Sequence, residues 1–146
     1  MAASRPTGRL LVGAGAGIVM LMAGQLVDLR WHAVHGRRFE RAADQLGAHW
    51  LIWLGVLVLL IVGVVGARRV PSRWFVGFRL LLVAAVCHVL IDGWHFWEHY
   101  NIRDPVVAHV LLAILKVAMV AGVITAIPTT TTSISIWSGN GNQRLR

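Results

Sequence analysis

Acidic residues are scarce in this chain. Six Asp and Glu stand against fourteen Lys and Arg in 146 residues, and charged side chains of both signs make up 14% of the total. Soluble domains carry about 25% charged residues, so a surface this poor in charge is not one that water alone solvates. Cysteine is nearly absent. The lone Cys87 lies within an apolar run, which excludes an internal disulfide and any CxxC metal or redox motif. Basic residues give a formal net charge of +8, yet they sit in short flanks beside apolar runs and form no basic face with interleaved aromatics. Nucleic acid is therefore not an expected partner.

What the chain has in quantity is apolar length. Hydrophobic residues are 57% of it and the mean hydropathy is +0.67. Four runs, 10–29, 48–67, 74–93 and 106–127, each come close to the roughly 20 residues that cross a bilayer as a helix. The expected fold is all-α, an integral membrane four-helix up-down bundle over 10–127. A short cytoplasmic N-terminus (1–9) precedes it. A polar tail (128–146) follows, with Thr129 to Thr132 in a row and Gly139-Asn140-Gly141-Asn142, a composition that predicts disorder. The first span could also be read as a signal peptide, but it is long and no A-x-A site follows it. Within it, Gly13-Ala14-Gly15-Ala16-Gly17 offers small residues for close helix approach.

Arginine placement sets the expected orientation. Arg5, Arg9, Arg68, Arg69, Arg73, Arg79, Arg144 and Arg146 fall on the side of the termini and the second loop, with no acid among them. That side is expected to be cytoplasmic in a multi-pass protein of the plasma (inner) membrane. The opposite face carries Arg30, Arg37, Arg38, Arg41 and Arg103, offset by every acid in the chain: Asp28, Glu40, Asp44, Asp92, Glu98 and Asp104.

All seven histidines share that outward face. His32 and His35 end the first span, His49 opens the second, His88, His95 and His99 end the third, and His109 opens the fourth. Asp28, His32 and His35 stand at i, i+4 and i+7, and His88, Asp92, His95 and His99 at i, i+4, i+7 and i+11, so each set forms one stripe on its helix. Gln25 continues the first stripe one turn deeper. A single histidine of this kind is ordinarily an interfacial hydrogen-bonder or a helix cap. The aggregate differs, because Asp28, His88 and Asp92 lie inside apolar spans, where ionisable groups pair, line a cavity or bind an ion. Imidazole with carboxylate and without thiolate suits copper, zinc or iron. Trp31, Trp50, Trp53, Trp94 and Trp97 surround this face as an interfacial belt. Lys116, two turns below His109 near the middle of the fourth span, reads equally as a structural residue and as a counter-ion or proton-path group.

Asp28-Leu29-Arg30-Trp31-His32, followed by His49, resembles the D-x-x-W-H…H element of the C subunit of copper membrane monooxygenases, the particulate methane and ammonia monooxygenase family. Asp92-Gly93-Trp94-His95-Phe96-Trp97-Glu98 and Asp104-Pro105-Val106-Val107-Ala108-His109 are similar to that subunit's N-E-W-G-H-x-F-W-x-x-E…P-x-H stretch, with Asp92 in place of asparagine and one residue nearer the histidine. The resemblance spans roughly 25–116. It implies one copper ion held by Asp28, His32 and His49, and a neighbouring one held by Asp92, His95 and His109. His35, His88, Glu98 and His99 become groups that orient ligands or meet arriving metal. It further implies oxidation of ammonia or a small hydrocarbon, in an oligomer or with other membrane subunits. No residue is assigned a catalytic role. A non-catalytic copper or zinc carrier, sensor or assembly factor is the alternative expectation. Haem between two facing histidines is a third, disfavoured by the adjacent carboxylates.

Overall fold

The structure, a computed structural model, describes residues 5–35, 42–70, 75–100 and 106–127. These form four helices: α1 (Arg5–His35), α2 (Ala42–Arg69), α3 (Phe75–Tyr100) and α4 (Val106–Thr125), with no strand among the described residues. Each contains a stretch long and apolar enough to cross a membrane: Gly8–His35, His49–Arg69, Val76–Glu98 and Val106–Thr125. The chain is thus an all-helical, multi-pass membrane bundle, as its sequence leads one to expect. The expected tail, 128–146, and the loops carrying Gly36 and Asn101 lie outside the described residues.

The helices do not stop where the apolar runs stop. α1 continues past residue 29 to His35, and α3 past residue 93 to Tyr100. No proline or glycine interrupts 30–35, so the backbone keeps its hydrogen-bond ladder beyond the hydrocarbon edge and carries His32 and His35 with it. α4 ends at Thr125, two residues short of the expected 127. There Ala126 and Ile127 close a last turn onto Gly122 and Ile124, and Pro128 has no N–H with which to continue.

The helices pack as a ring of antiparallel neighbours, most extensively along α1–α2 and α3–α4, less along α2–α3 and lightly along α1–α4. Glycines set the two tight crossings. A Cβ at Gly55 would lie 2.6 Å from the Leu21 nitrogen, and one at Gly17 would lie 2.8 Å from the Leu59 side chain. In the second hairpin a Cβ at Gly77 would lie 2.5 Å from the Ala126 nitrogen, and one at Gly122 2.8 Å from the Leu81 nitrogen. Backbones approach here to distances that no larger residue permits. Of the small-residue run in α1, Gly17 makes the crossing while Gly15 faces open space.

Leu21, Leu59, Phe78, Leu81 and Met119 fill the interior. Val19, Leu26, Val83, Leu90 and Val117 point outward and are exposed, a distribution that suits lipid as the surrounding solvent.

Candidate metal centre

An up-down ring brings the C-terminal ends of α1 and α3 beside the N-terminal ends of α2 and α4. Asp28, His49, Asp92 and His95 are all buried at that end. The helix overrun on α1 places His32 one turn above Asp28, on the same face.

Asp28 is the centre of the first set. Its Oδ1 lies 3.4 Å from His32 Nε2 and 3.4 Å from His49 Nε2. Two donors bound at about 2.0–2.1 Å in a tetrahedral array are about 3.3–3.4 Å apart, so these separations have the length of a ligand–ligand edge. They exceed a good hydrogen bond. Asp28 Oδ1 is buried and makes no hydrogen bond among the described residues. Its partner oxygen, Oδ2, accepts from Gln25 Nε2 at 3.2 Å.

The second set is arranged differently. His95 Nε2 faces His109 Nε2 at 3.0 Å, with the rings edge to face, so one nitrogen donates and the other accepts in the metal-free state. Asp92 Oδ1 approaches His95 from its other nitrogen, Nδ1, at 3.7 Å. Asp92 Oδ2 accepts the indole N–H of Trp53 on α2. Asp92 thus meets His95 at the nitrogen opposite the one that faces His109, a side from which a carboxylate can fix the orientation of an imidazole. The sets adjoin: the His49 and His95 ring centroids are 5.8 Å apart.

As placed, no three His, Cys, Asp or Glu side chains among the described residues form a ready group around one ion. Only the two 3.4 Å separations around Asp28 match a ligand–ligand edge, and closing three donors on a common ion would require side-chain rotation.

The remaining expected residues are spread around this centre. His35 is exposed, stacks on Trp31 and pairs through Nδ1 with the Trp31 carbonyl at 3.1 Å. Glu98 accepts from Trp94 Nε1 at 3.0 Å near the end of α3. The side chain of His99 lies outside the described residues. His88 is buried deeper in the bundle, and its Nε2 has no hydrogen-bond partner among the described residues. Lys116 donates a hydrogen bond to Gln25 Oε1.

Trp53 was hidden by its residue type. Trp50, Trp94 and Trp97 are exposed as belt residues should be, whereas Trp53 turns inward to Asp92. Its signal was its spacing, four residues after His49 on the same helix face. Beside it, between α2 and α3, an apolar cleft of about 520 Å³ runs against Trp53, Leu57, Leu60, His88, Asp92 and Phe96. Gly93 also borders the cleft, and a Cβ there would touch nothing.

Compared with family models, curated proteins and solved structures, the chain matches none, so its functional reading rests on its own residues.

Proposed function

We propose that this chain is a membrane protein that binds a transition-metal ion, copper in the first instance, at the end of its bundle where the histidines gather. One observation carries the reading: a buried carboxylate oxygen, Asp28 Oδ1, has two imidazole nitrogens at 3.4 Å, supplied by two different helices. Carboxylate oxygen with imidazole nitrogen, and no thiolate, is a donor set for copper, zinc or iron. Asp28, His32 and His49 would hold the ion, and His95 and His109 would hold or exchange a second, with Asp92 supporting His95. The arginine bias supports a topology with this end outward and both termini in the cytoplasm. A cysteine introduced at Gly36 would then react with an impermeant thiol reagent added outside, and protection there would reverse the orientation.

The resemblance to copper membrane monooxygenases extends the proposal to oxidation of ammonia or a small hydrocarbon within a complex of membrane subunits. Bound copper would supply the redox chemistry with O₂. The chain's own contribution would be to fix the ligands, exclude water and admit an apolar substrate. The apolar cleft that meets Asp92 from the side of the bundle supports this reading. The non-catalytic alternative, a carrier or assembly factor, is supported by the exposure of His109 at the mouth of the cluster, where a passing ion would be met first.

The deciding experiment is metal titration and elemental analysis of protein purified in mild detergent. Wild type is expected to retain at least one equivalent of copper, and His32→Ala and His49→Ala each to lose it. Wild type that takes up neither copper nor zinc at micromolar concentration would end the metal reading.

A further inference from the structure

Beneath the histidines lies a second polar layer. Gln25 is seven residues before His32 on α1, His88 seven before His95 on α3, and Lys116 seven after His109 on α4. Seven residues are about two turns, or ~10 Å of rise, so the three stand at one depth toward the middle of the bundle. The matching position on α2, seven after His49, is the buried Val56.

Lys116 is the chain's single lysine. Its ammonium donates to Gln25 Oε1 across the light α1–α4 contact, and Gln25 in turn donates from Nε2 to Asp28 Oδ2 at 3.2 Å. The amide satisfies both ends in one orientation, oxygen toward the ammonium and nitrogen toward the carboxylate. The reverse would set donor against donor and acceptor against acceptor. Lys116 is also within electrostatic reach of Asp28, Asp92 and His88. An ionised group at this depth is expensive unless a partner compensates it. Removing one member of a buried charged set leaves the others unpaired, at a cost larger than the net worth of the contact.

We infer that Lys116, acting through Gln25, is the resident cation of the cluster: it balances the buried carboxylates in the metal-free protein and opposes the ion that would replace it. The first half of this stands on the network alone; the second rests on the metal reading above. Lys116 is thus a positioning and charge-setting residue, not a ligand. An incoming divalent ion meets carboxylates whose charge is already partly answered, which sets its affinity below what Asp28, His32 and His49 alone would give.

The two halves have separate readouts. In metal-free detergent, Lys116→Met is expected to lower the melting temperature, and adding Asp28→Asn to it to recover most of the loss, because the uncompensated carboxylate is then gone. Lys116→Arg should stay near wild type. In a copper titration at pH 8, Lys116→Met should bind about tenfold more tightly than wild type, the scale of one unit charge acting through a partly desolvated interior. A merely structural lysine would lower stability and affinity together. A double variant that recovers neither stability nor yield, or a copper affinity that falls with stability, overturns the assignment. Wild type that binds no copper defeats the metal reading separately, while the Asp28→Asn rescue still decides the counter-ion role.

Discussion

The two hairpins of the bundle are built alike and end differently. Each is locked by a glycine pair, Gly17 with Gly55 and Gly77 with Gly122, and each carries an aspartate and a histidine at the end of its first helix and a histidine at the start of its second. In α1–α2 the aspartate faces the Nε2 atoms of both histidines. In α3–α4 the histidines face one another, and the aspartate is drawn back to Nδ1 of one of them and to Trp53 of the other hairpin. The same residue types at similar spacing therefore give a carboxylate-centred set on one side and an imidazole pair on the other. What separates them is where the second carboxylate oxygen is tied: Asp28 Oδ2 to Gln25 of its own helix, Asp92 Oδ2 to the Trp53 indole of the other hairpin.

The largest effects should come from the glycine locks, where the hairpins are alike. Gly55→Leu and Gly122→Leu each force a side chain into a neighbouring backbone and should cost about 1–3 kcal/mol or prevent folding. Gly15→Leu and Gly93→Leu, which meet open space, should change the thermal unfolding midpoint little. If Gly122→Leu unfolds no more readily than wild type while Gly55→Leu collapses, the hairpins are not equivalently locked.

Substitution of the two aspartates sharpens the contrast. Asp28→Asn should remove one equivalent of tight copper binding. Asp92→Asn should leave the stoichiometry intact and weaken the second equivalent by about 10–100-fold, the usual consequence of losing a carboxylate that orients a ligand. A titration in which Asp92→Asn loses an equivalent outright would make Asp92 a ligand after all and erase the distinction. Smallest is Trp53→Phe. It should cost about 1 kcal/mol of stability through one lost hydrogen bond and leave copper binding at Asp28 unchanged; a fall there would mean the two sets act as one.

The bundle was legible in the sequence because an uninterrupted apolar run of bilayer length has few other uses. The shared end of the histidines was legible for the same reason, since four spans in alternating direction leave no choice of which termini meet. Which nitrogen faces which oxygen was not legible. Helical counting puts His35 on the stripe of Asp28 and His32, but its ring turns back instead onto the Trp31 carbonyl and stacks on the Trp31 indole. Counting likewise joins Asp92 to His95, but nothing in a single helix reveals that an indole on α2 will reach across to it. Lys116 was recognisable as anomalous by depth alone, and its partner, Gln25, was already on the first stripe; only the docking of α4 against α1 joins them.

That docking bears on how the protein assembles. The chain emerges one hairpin at a time, and everything that ties Asp28 to His32 and His49 lies within the first. The bonds from Trp53 to Asp92 and from Lys116 to Gln25 sit on the two opposite seams and form only when the second hairpin arrives. Lipid supplies no hydrophobic force to drive one apolar helix pair against another. These two polar bonds, with the close packing of Gly63 on Leu82 and of Gly66 on Phe78, tie the second hairpin to the first, and Asp92 and Lys116 enter the bilayer as the halves of a connection whose other ends are already in place.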